Sequence, residues 1–146
     1  MLVKEQLKAR KKDVITITPE TGIIEAMDIL ISNKIGCLPV LGESGELIGI
    51  VSDKDIFKAI YEHQDGFSDI IARQLMSTNL IIGVPDDEID YIAGLMTKNY
   101  IRHVPIMDQQ KLVGLISTGD VVKVQQKHME IENRYLKMYM EGTHLG

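Results

Sequence analysis

One segment of this chain is written twice. Pro19, Asn33, Ile35 and Pro39 recur as Pro85, Asn99, Ile101 and Pro105, each pair 66 residues apart. Gly49, Ser52 and Asp55 recur as Gly114, Ser117 and Asp120, now 65 apart. The offset is constant on either side of one hairpin turn, so a single residue lost from that turn accounts for both spacings. Self-similarity at a fixed period constrains a fold more tightly than local propensity does, because whatever one copy forms the other must form as well.

Each copy carries the same succession of patterns. In the first, Val14 to Thr18 alternates like a short strand, and Pro19-Glu20-Thr21 ends it. Ile23, Ala26, Met27, Leu30 and Ile31 fall at steps of three and four between Gly22 and Asn33, the spacing of a helix with one buried face, closed by Asn33-Lys34. Leu38 to Leu41 and Leu47 to Val51 flank the turn Gly42 to Glu46 as a hairpin, and a helix from Ile56 to Tyr61 follows. Glu62 to Ser68 is a polar link, and Asp69 to Leu75 offers one more helical turn. The second copy gives a strand at Leu80 to Val84, a helix at Ile89 to Lys98, strands at Val104 to Met107 and Leu112 to Ile116 about the turn Asp108 to Lys111, and a helix from Val121.

Two helices and three short strands do not cover a sheet, so the copies are expected to pack sheet to sheet as one pseudo-twofold globule of the mixed α/β (α+β) class. This divides the chain into an N-terminal segment (1–11), a first repeat (12–68), a second repeat (69–124) and an extended C-terminal helix and tail (125–146).

The ends lie outside the duplication. Lys4, Lys8, Arg10, Lys11 and Lys12 stand near Leu2, Val3 and Leu7, which reads as a solvated first turn, a short amphipathic helix or a basic arm that grips a partner. From Val121 to Glu141 nothing breaks a helix, and Val121, Val124, His128, Ile131, Tyr135 and Met138 recur in alternating steps of three and four. Beyond His128 this seam outruns the repeat, so a second copy of the chain, in a homodimer, is its expected cover.

Composition narrows the function classes. A net charge of −5 argues against bulk nucleic-acid binding, although a local basic site is compatible with it. The single cysteine, Cys37, excludes an intramolecular disulfide and a cysteine-based zinc site, and fits the cytoplasm. His63, His128 and His144 share no ligand-like spacing with Cys37 or His103, so no metal is expected. Met1 to Lys12 is too polar for a signal peptide, and no apolar run approaches the roughly 18 residues of a membrane helix. Met76, Met96, Met107 and Met129 read as core or interface filler.

The chemistry sits in Gly-x-x-Ser-x-x-Asp, present as Gly49, Ser52, Asp55 and as Gly114, Ser117, Asp120. Each places a hydroxyl and a carboxylate at a helix N-terminus. Such a group can be a helix cap and nothing more. A carboxylate there can also accept both hydroxyls of a ribose, while the helix end and the serine suit a phosphate. Recurrence at equivalent places in a duplicated sheet sets the two motifs across a cleft from each other, which favours a ligand.

Taken as a set, the strand-Thr-Pro start, the hydrophobic-Pro-hydrophobic hairpin and the Gly-x-x-Ser-x-x-Asp end resemble the tandem cystathionine beta-synthase (CBS) domain pair, the Bateman module, over about Lys12 to Lys123. The resemblance implies two inter-repeat clefts for adenosine-containing ligands such as AMP, ADP, ATP or S-adenosylmethionine, a flat dimer, and control of an attached enzyme or channel, none of which appears in this sequence. By position it assigns to one cleft Asp120 for the ribose, Ser117 and Thr118 near the phosphate, Arg102 and His103 before the Val104-Pro105 step as cationic contacts, and Thr16, Ile17 and Thr18 against adenine. To the other, weaker cleft it assigns Asp55, Ser52, Lys54, Gly36, Cys37 and Pro39, with Leu80, Ile81 and Ile82 against adenine. The alternative for Arg102 and His103 is an exposed strand end.

The leading expectation is a stand-alone sensor that binds AMP, ADP or ATP as a regulatory ligand, ahead of S-adenosylmethionine, and signals to an unidentified regulated protein. The competing expectation is a dimerisation module with no ligand. An enzyme is disfavoured, because a ribose-holding aspartate without base, nucleophile or metal beside it makes no catalytic constellation. No catalytic residue, metal or membrane partner is expected.

Overall fold

The computed structural model describes residues 1–10 and 12–141; Lys11 of the basic run and His144 lie outside the described residues. In chain order these form α1 (Val3–Arg10), α2 (Ile23–Asn33), β1 (Cys37–Leu41), β2 (Leu47–Ser52), α3 (Asp53–Glu62), a 3-10 turn (Phe67–Asp69), α4 (Ala72–Leu75), α5 (Ile89–Asn99), β3 (His103–Asp108), β4 (Lys111–Ser117) and α6 (Thr118–Met140). The series α2-β1-β2-α3 returns as α5-β3-β4-α6, as the duplication requires.

Both hairpins are antiparallel, and both carry an irregularity at the same place. Val40 pairs with Gly49 and Leu41 with Leu47; Ile106 pairs with Gly114 and Met107 with Leu112. The second hairpin closes through Gln109 and Gln110, both left-handed at φ 50° and 65°, the backbone that a tight two-residue hairpin turn demands.

The opening strands of the two copies shrink to single bridges. Ile17 bridges Val40 and Gly83 bridges Ile106, each parallel to its hairpin. Ile17 N donates to Pro39 O at 3.0 Å and Leu41 N to Ile17 O at 2.9 Å; Gly83 N and Met107 N repeat the pattern with Pro105 O and Gly83 O. A parallel ladder would next need N–H groups from Pro39 and Pro19 in the first copy, and from Pro105 and Pro85 in the second. Proline has none, so the ladder stops at one rung on either side. The expected strands at Val14 to Thr18 and Leu80 to Val84 are therefore extended segments, not full strands.

Helices α3 and α6 begin three residues before the expected Ile56 and Val121, because Ser52 and Ser117 are their N-caps and the motif aspartates already lie within the first turn. Helices α2 and α5 end on the left-handed residues Lys34 and Tyr100.

Two separate cores result. One gathers Ile17, Ile23, Ala26, Leu30, Leu38, Val40, Val51 and Ile56; the other gathers Ile89, Ile92, Met96, Val104, Ile106, Ile116 and Val121. Each core is completed by a helix from across the chain. Val3 of α1 is fully buried in the second core, with Leu7 packed beside it, whereas Ala72 of α4 is fully buried in the first core, with Leu75 and Met76 beside it. Backbone bridges from Leu2 to Glu88 and from Gly22 to Ile71 anchor the two exchanged helices alike.

Glycine is required where they land. A Cβ on Gly114 would lie 2.5 Å from both methyl carbons of Leu7, and one on Gly49 would lie 2.6 Å from the Met76 sulfur. The chain thus folds as two equivalent hairpin units joined by mutual loan of a helix. The C-terminal helix runs on past this body: Met129, Ile131, Tyr135, Leu136, Tyr139 and Met140 are 56 to 84% exposed. No helix among the described residues is long and apolar enough to cross a membrane.

Candidate functional site

Both Ser-x-x-Asp motifs form complete capping boxes. The Asp55 amide donates to Ser52 Oγ at 3.2 Å while Ser52 N and Oγ donate to Asp55 Oδ2 at 2.8 and 2.9 Å. In the second copy the Asp120 amide donates to Ser117 Oγ at 3.1 Å, and Ser117 N and Oγ donate to Asp120 Oδ2 at 2.8 and 3.0 Å. The capping role is thus real in both. It uses one oxygen of each carboxylate.

Each motif also borders a cleft between the copies. Asp120 and Ser117 open into a cavity of about 690 Å³ walled by Arg10, Lys12, Asp13, Val14, Ile15, Asn33, Lys34, Ile35, Gly36, Cys37, His103, Leu115 and Lys123. Asp55, Ser52 and Lys54 open into a smaller one, about 200 Å³, walled by Cys37, Ile50, Ser77, Asn79, Leu80, Ile81, Tyr100, Ile101, Arg102 and His103. A larger open groove of about 820 Å³ lies between the two hairpin turns, but neither motif reaches it.

These walls regroup the expected site residues. Arg102, assigned by resemblance to the Asp120 cleft, lines the Asp55 cleft and pairs there with Asp53. Gly36, assigned to the Asp55 cleft, lines the Asp120 cleft. The physical reason is the pseudo-twofold crossing: the residues that precede one hairpin face the motif that follows the other. Cys37 and His103, equivalent positions in the two copies, stand at the partition and line both cavities.

Seven more assignments move away from the walls. Thr16 faces the groove between the hairpin turns, and Ile17 is buried. Thr18 faces Thr21, its hydroxyl 3.2 Å from that of Thr21. Thr118 turns its hydroxyl to Arg102 O at 3.2 Å, and Ile82 is 48% exposed outside the smaller cavity. Pro39 and Pro105 are fully buried in their hairpins. Leu80 and Ile81 do line the Asp55 cleft.

Four cations line the large cleft, two of them, Arg10 and Lys12, from the basic run at the start of the chain. Arg10, Lys12, Lys34 and Lys123 face Asp13 and Asp120 there, an excess of positive charge in a chain that is acidic as a whole. A signal for its opening strand was available: an offset of 66 maps Leu80 and Ile81 onto Val14 and Ile15, which are the residues that line it.

Burial pushes the Cys37 thiol up to about 12, with Asp55 adding to the effect, so the thiol is protonated and unreactive. Burial first, then the Arg102 charge, hold His103 below its ordinary 6.5, while Asp53 and Asp120 oppose them. Among the described residues no three His, Cys, Asp or Glu side chains gather as a metal would need.

The fold and paired clefts can be compared with known proteins. The family model of the CBS domain matches twice, over residues 6–62 and 72–127. The chain belongs to the CBS-domain family. It is 33% identical over 116 residues to the CBS domain-containing protein YhcV of Bacillus subtilis, a match covering 79% of this chain and 81% of that one. The CBS-domain protein ATU1752 of Agrobacterium tumefaciens superposes with a TM-score of 0.82 at 31% identity, covering 86% of this chain and 99% of that one. The CBS domain pair of protein MJ0100, solved with 5'-methylthioadenosine and S-adenosyl-L-methionine, superposes at 0.78 with 31% identity over 88% of this chain and 98% of that one.

Proposed function

We propose that this CBS pair is a regulatory module that binds an adenosine-containing ligand, AMP, ADP or ATP, with Asp120 on the ribose and the surrounding cations on the phosphates, and signals its occupancy to a partner protein. One observation carries the reading: a buried carboxylate at a helix N-terminus opens into a 690 Å³ cleft that gathers Arg10, Lys12, Lys34 and Lys123. Guanidinium and ammonium groups around a helix N-terminus are what a phosphate needs.

The two CBS repeats take up most of the chain, which supports a regulatory role over a catalytic one. A ligand that prefers one arrangement of the molecule shifts the balance between arrangements by that preference. On this reading the repeats span 12–68 and 69–124, and the part of α6 beyond residue 124 reaches a second copy in a homodimer. Met129, Ile131, Tyr135, Leu136, Tyr139 and Met140 of α6 form exposed apolar surface that a second copy would cover.

Isothermal titration with AMP, ADP, ATP, S-adenosylmethionine and 5'-methylthioadenosine tests the ligand. The phosphorylated ligands are expected to bind more tightly than the two sulfur compounds. A second reading, a sulfonium ligand, is favoured by the MJ0100 complex, and tighter binding of S-adenosylmethionine would replace the first reading with it.

A further inference from the structure

Arg10 ends α1, the helix that the first copy lends to the second core, and its guanidinium enters the Asp120 cleft. Its Nη1 donates to Leu115 O at 2.8 Å and to Asp120 Oδ2 at 2.8 Å. Oδ2 already accepts Ser117 N and Ser117 Oγ. A carboxylate oxygen offers about two acceptor directions, so three donors fill it. A diol that is to be held by both carboxylate oxygens must therefore displace one of them. The Ser117 donors belong to the cap of α6. Arg10, with its side chain 29% exposed, is the one that can swing away.

The other cleft has no such pair. Asp55 Oδ2 holds only the two Ser52 donors, and Oδ1 meets the Ser77 hydroxyl at 3.4 Å. The exchanged helices align Val3 with Ala72 and Leu7 with Met76, 69 residues apart, and the same count places Asn79 where Arg10 stands. Asn79 does line that cleft, and it carries no charge.

Displacing Arg10 has different consequences for different ligands. A nucleoside without phosphate leaves the guanidinium stripped of its carboxylate, in a cleft that already holds Lys12, Lys34 and Lys123. A phosphate gives it a new anion that it can grip with two N–H groups. We propose that Arg10 makes the Asp120 cleft select a phosphorylated nucleoside over a bare one, by exchanging Asp120 for the ligand's phosphate. This rests on the adenosine reading above, and it adds a penalty on the unphosphorylated ligand that the cationic lining alone does not supply.

The experiment titrates adenosine and AMP into the full chain carrying Asp55→Asn, which confines the reading to the large cleft, with Arg10 intact, Arg10→Met or Arg10→Lys. Breaking or making one charge-assisted hydrogen bond corresponds to about tenfold in affinity. Arg10→Met is expected to bind adenosine about tenfold more tightly and AMP about tenfold more weakly, so that the preference for AMP falls roughly a hundredfold. Arg10→Lys keeps a cation but not the two-pronged grip, and a smaller fall in the same preference is expected; it carries the test alone if the methionine variant does not fold. Equal shifts for both ligands, as from a residue that merely seats α1, or an unchanged preference, overturn the proposal while leaving the adenosine reading intact. Failure of both ligands to bind the protein with Arg10 intact overturns the two together.

Discussion

Val3→Ala is expected to damage the half of the molecule farthest from it in sequence. Val3 lies near the chain start, yet it is fully buried among Ile89, Ile92, Val104, Ile106 and Ile116. The substitution removes two methyl groups, each contributing about 0.8 kcal/mol by burial, and leaves a small cavity, for a total of about 2 kcal/mol. The backbone bonds of Val3 N to Asp87 O and Lys4 N to Pro85 O survive, so the helix keeps its seat and the loss is one of packing. Urea unfolding should give the total. Native-state hydrogen exchange should locate it, with amides of α5, β3 and β4 losing about thirtyfold in protection, the equivalent of 2 kcal/mol. A loss below about 0.5 kcal/mol, or weakened protection confined to α2, β1 and β2, would refute the exchange of helices.

Arg102→Ala should weaken phosphate-bearing ligands in the Asp55 cleft about tenfold and leave the Asp120 cleft within about twofold; two-site titration reads both, and the reverse ranking contradicts the crossed arrangement. His103 is held below 6.5 in the folded chain, so the unfolded state takes the proton first. Stability should be full above pH 6.5 and decline as pH falls from there toward the folded value, with Arg102, Asp53, Asp120 and Cys37 as its neighbours; His103→Gln should remove that component of the slope, and an unchanged slope would show that other groups set it. Truncation after Lys127 should weaken self-association in a light-scattering dilution series, whereas a dimer of unchanged affinity would place the contact on the repeats.

The parts of this structure that could be read from sequence are those set by backbone chemistry at fixed spacing. Pro39 and Pro105, Gly49 and Gly114, and the two Ser-x-x-Asp caps each dictate a local geometry, and together they yield the hairpins, the helix starts and the family. The prolines also carried a message that alternation concealed, since the absent N–H groups of Pro19, Pro39, Pro85 and Pro105 cut the opening strands to one bridge each. What local pattern could not supply was the crossing between copies. Nothing in the text of Arg102 says that it faces Asp55, or that Gly36 faces Asp120, because both follow from the pseudo-twofold packing. Likewise α1 offers only Val3 and Leu7, four residues apart, among lysines. The seat of Leu7 depends on Gly114, which lies more than a hundred residues away.

The loan of helices between copies has a consequence for how such a chain can be counted. A copy standing alone would keep its hairpin and two long helices but present the glycine platform bare, and its own first helix would have nowhere to dock. Two such single copies could close each other only by trading helices between molecules, as domain-swapped dimers do. Three in a row would satisfy one pair and leave the third with an uncovered hairpin. A gene can add these units one at a time, but an unpaired unit lacks the helix that covers its hairpin.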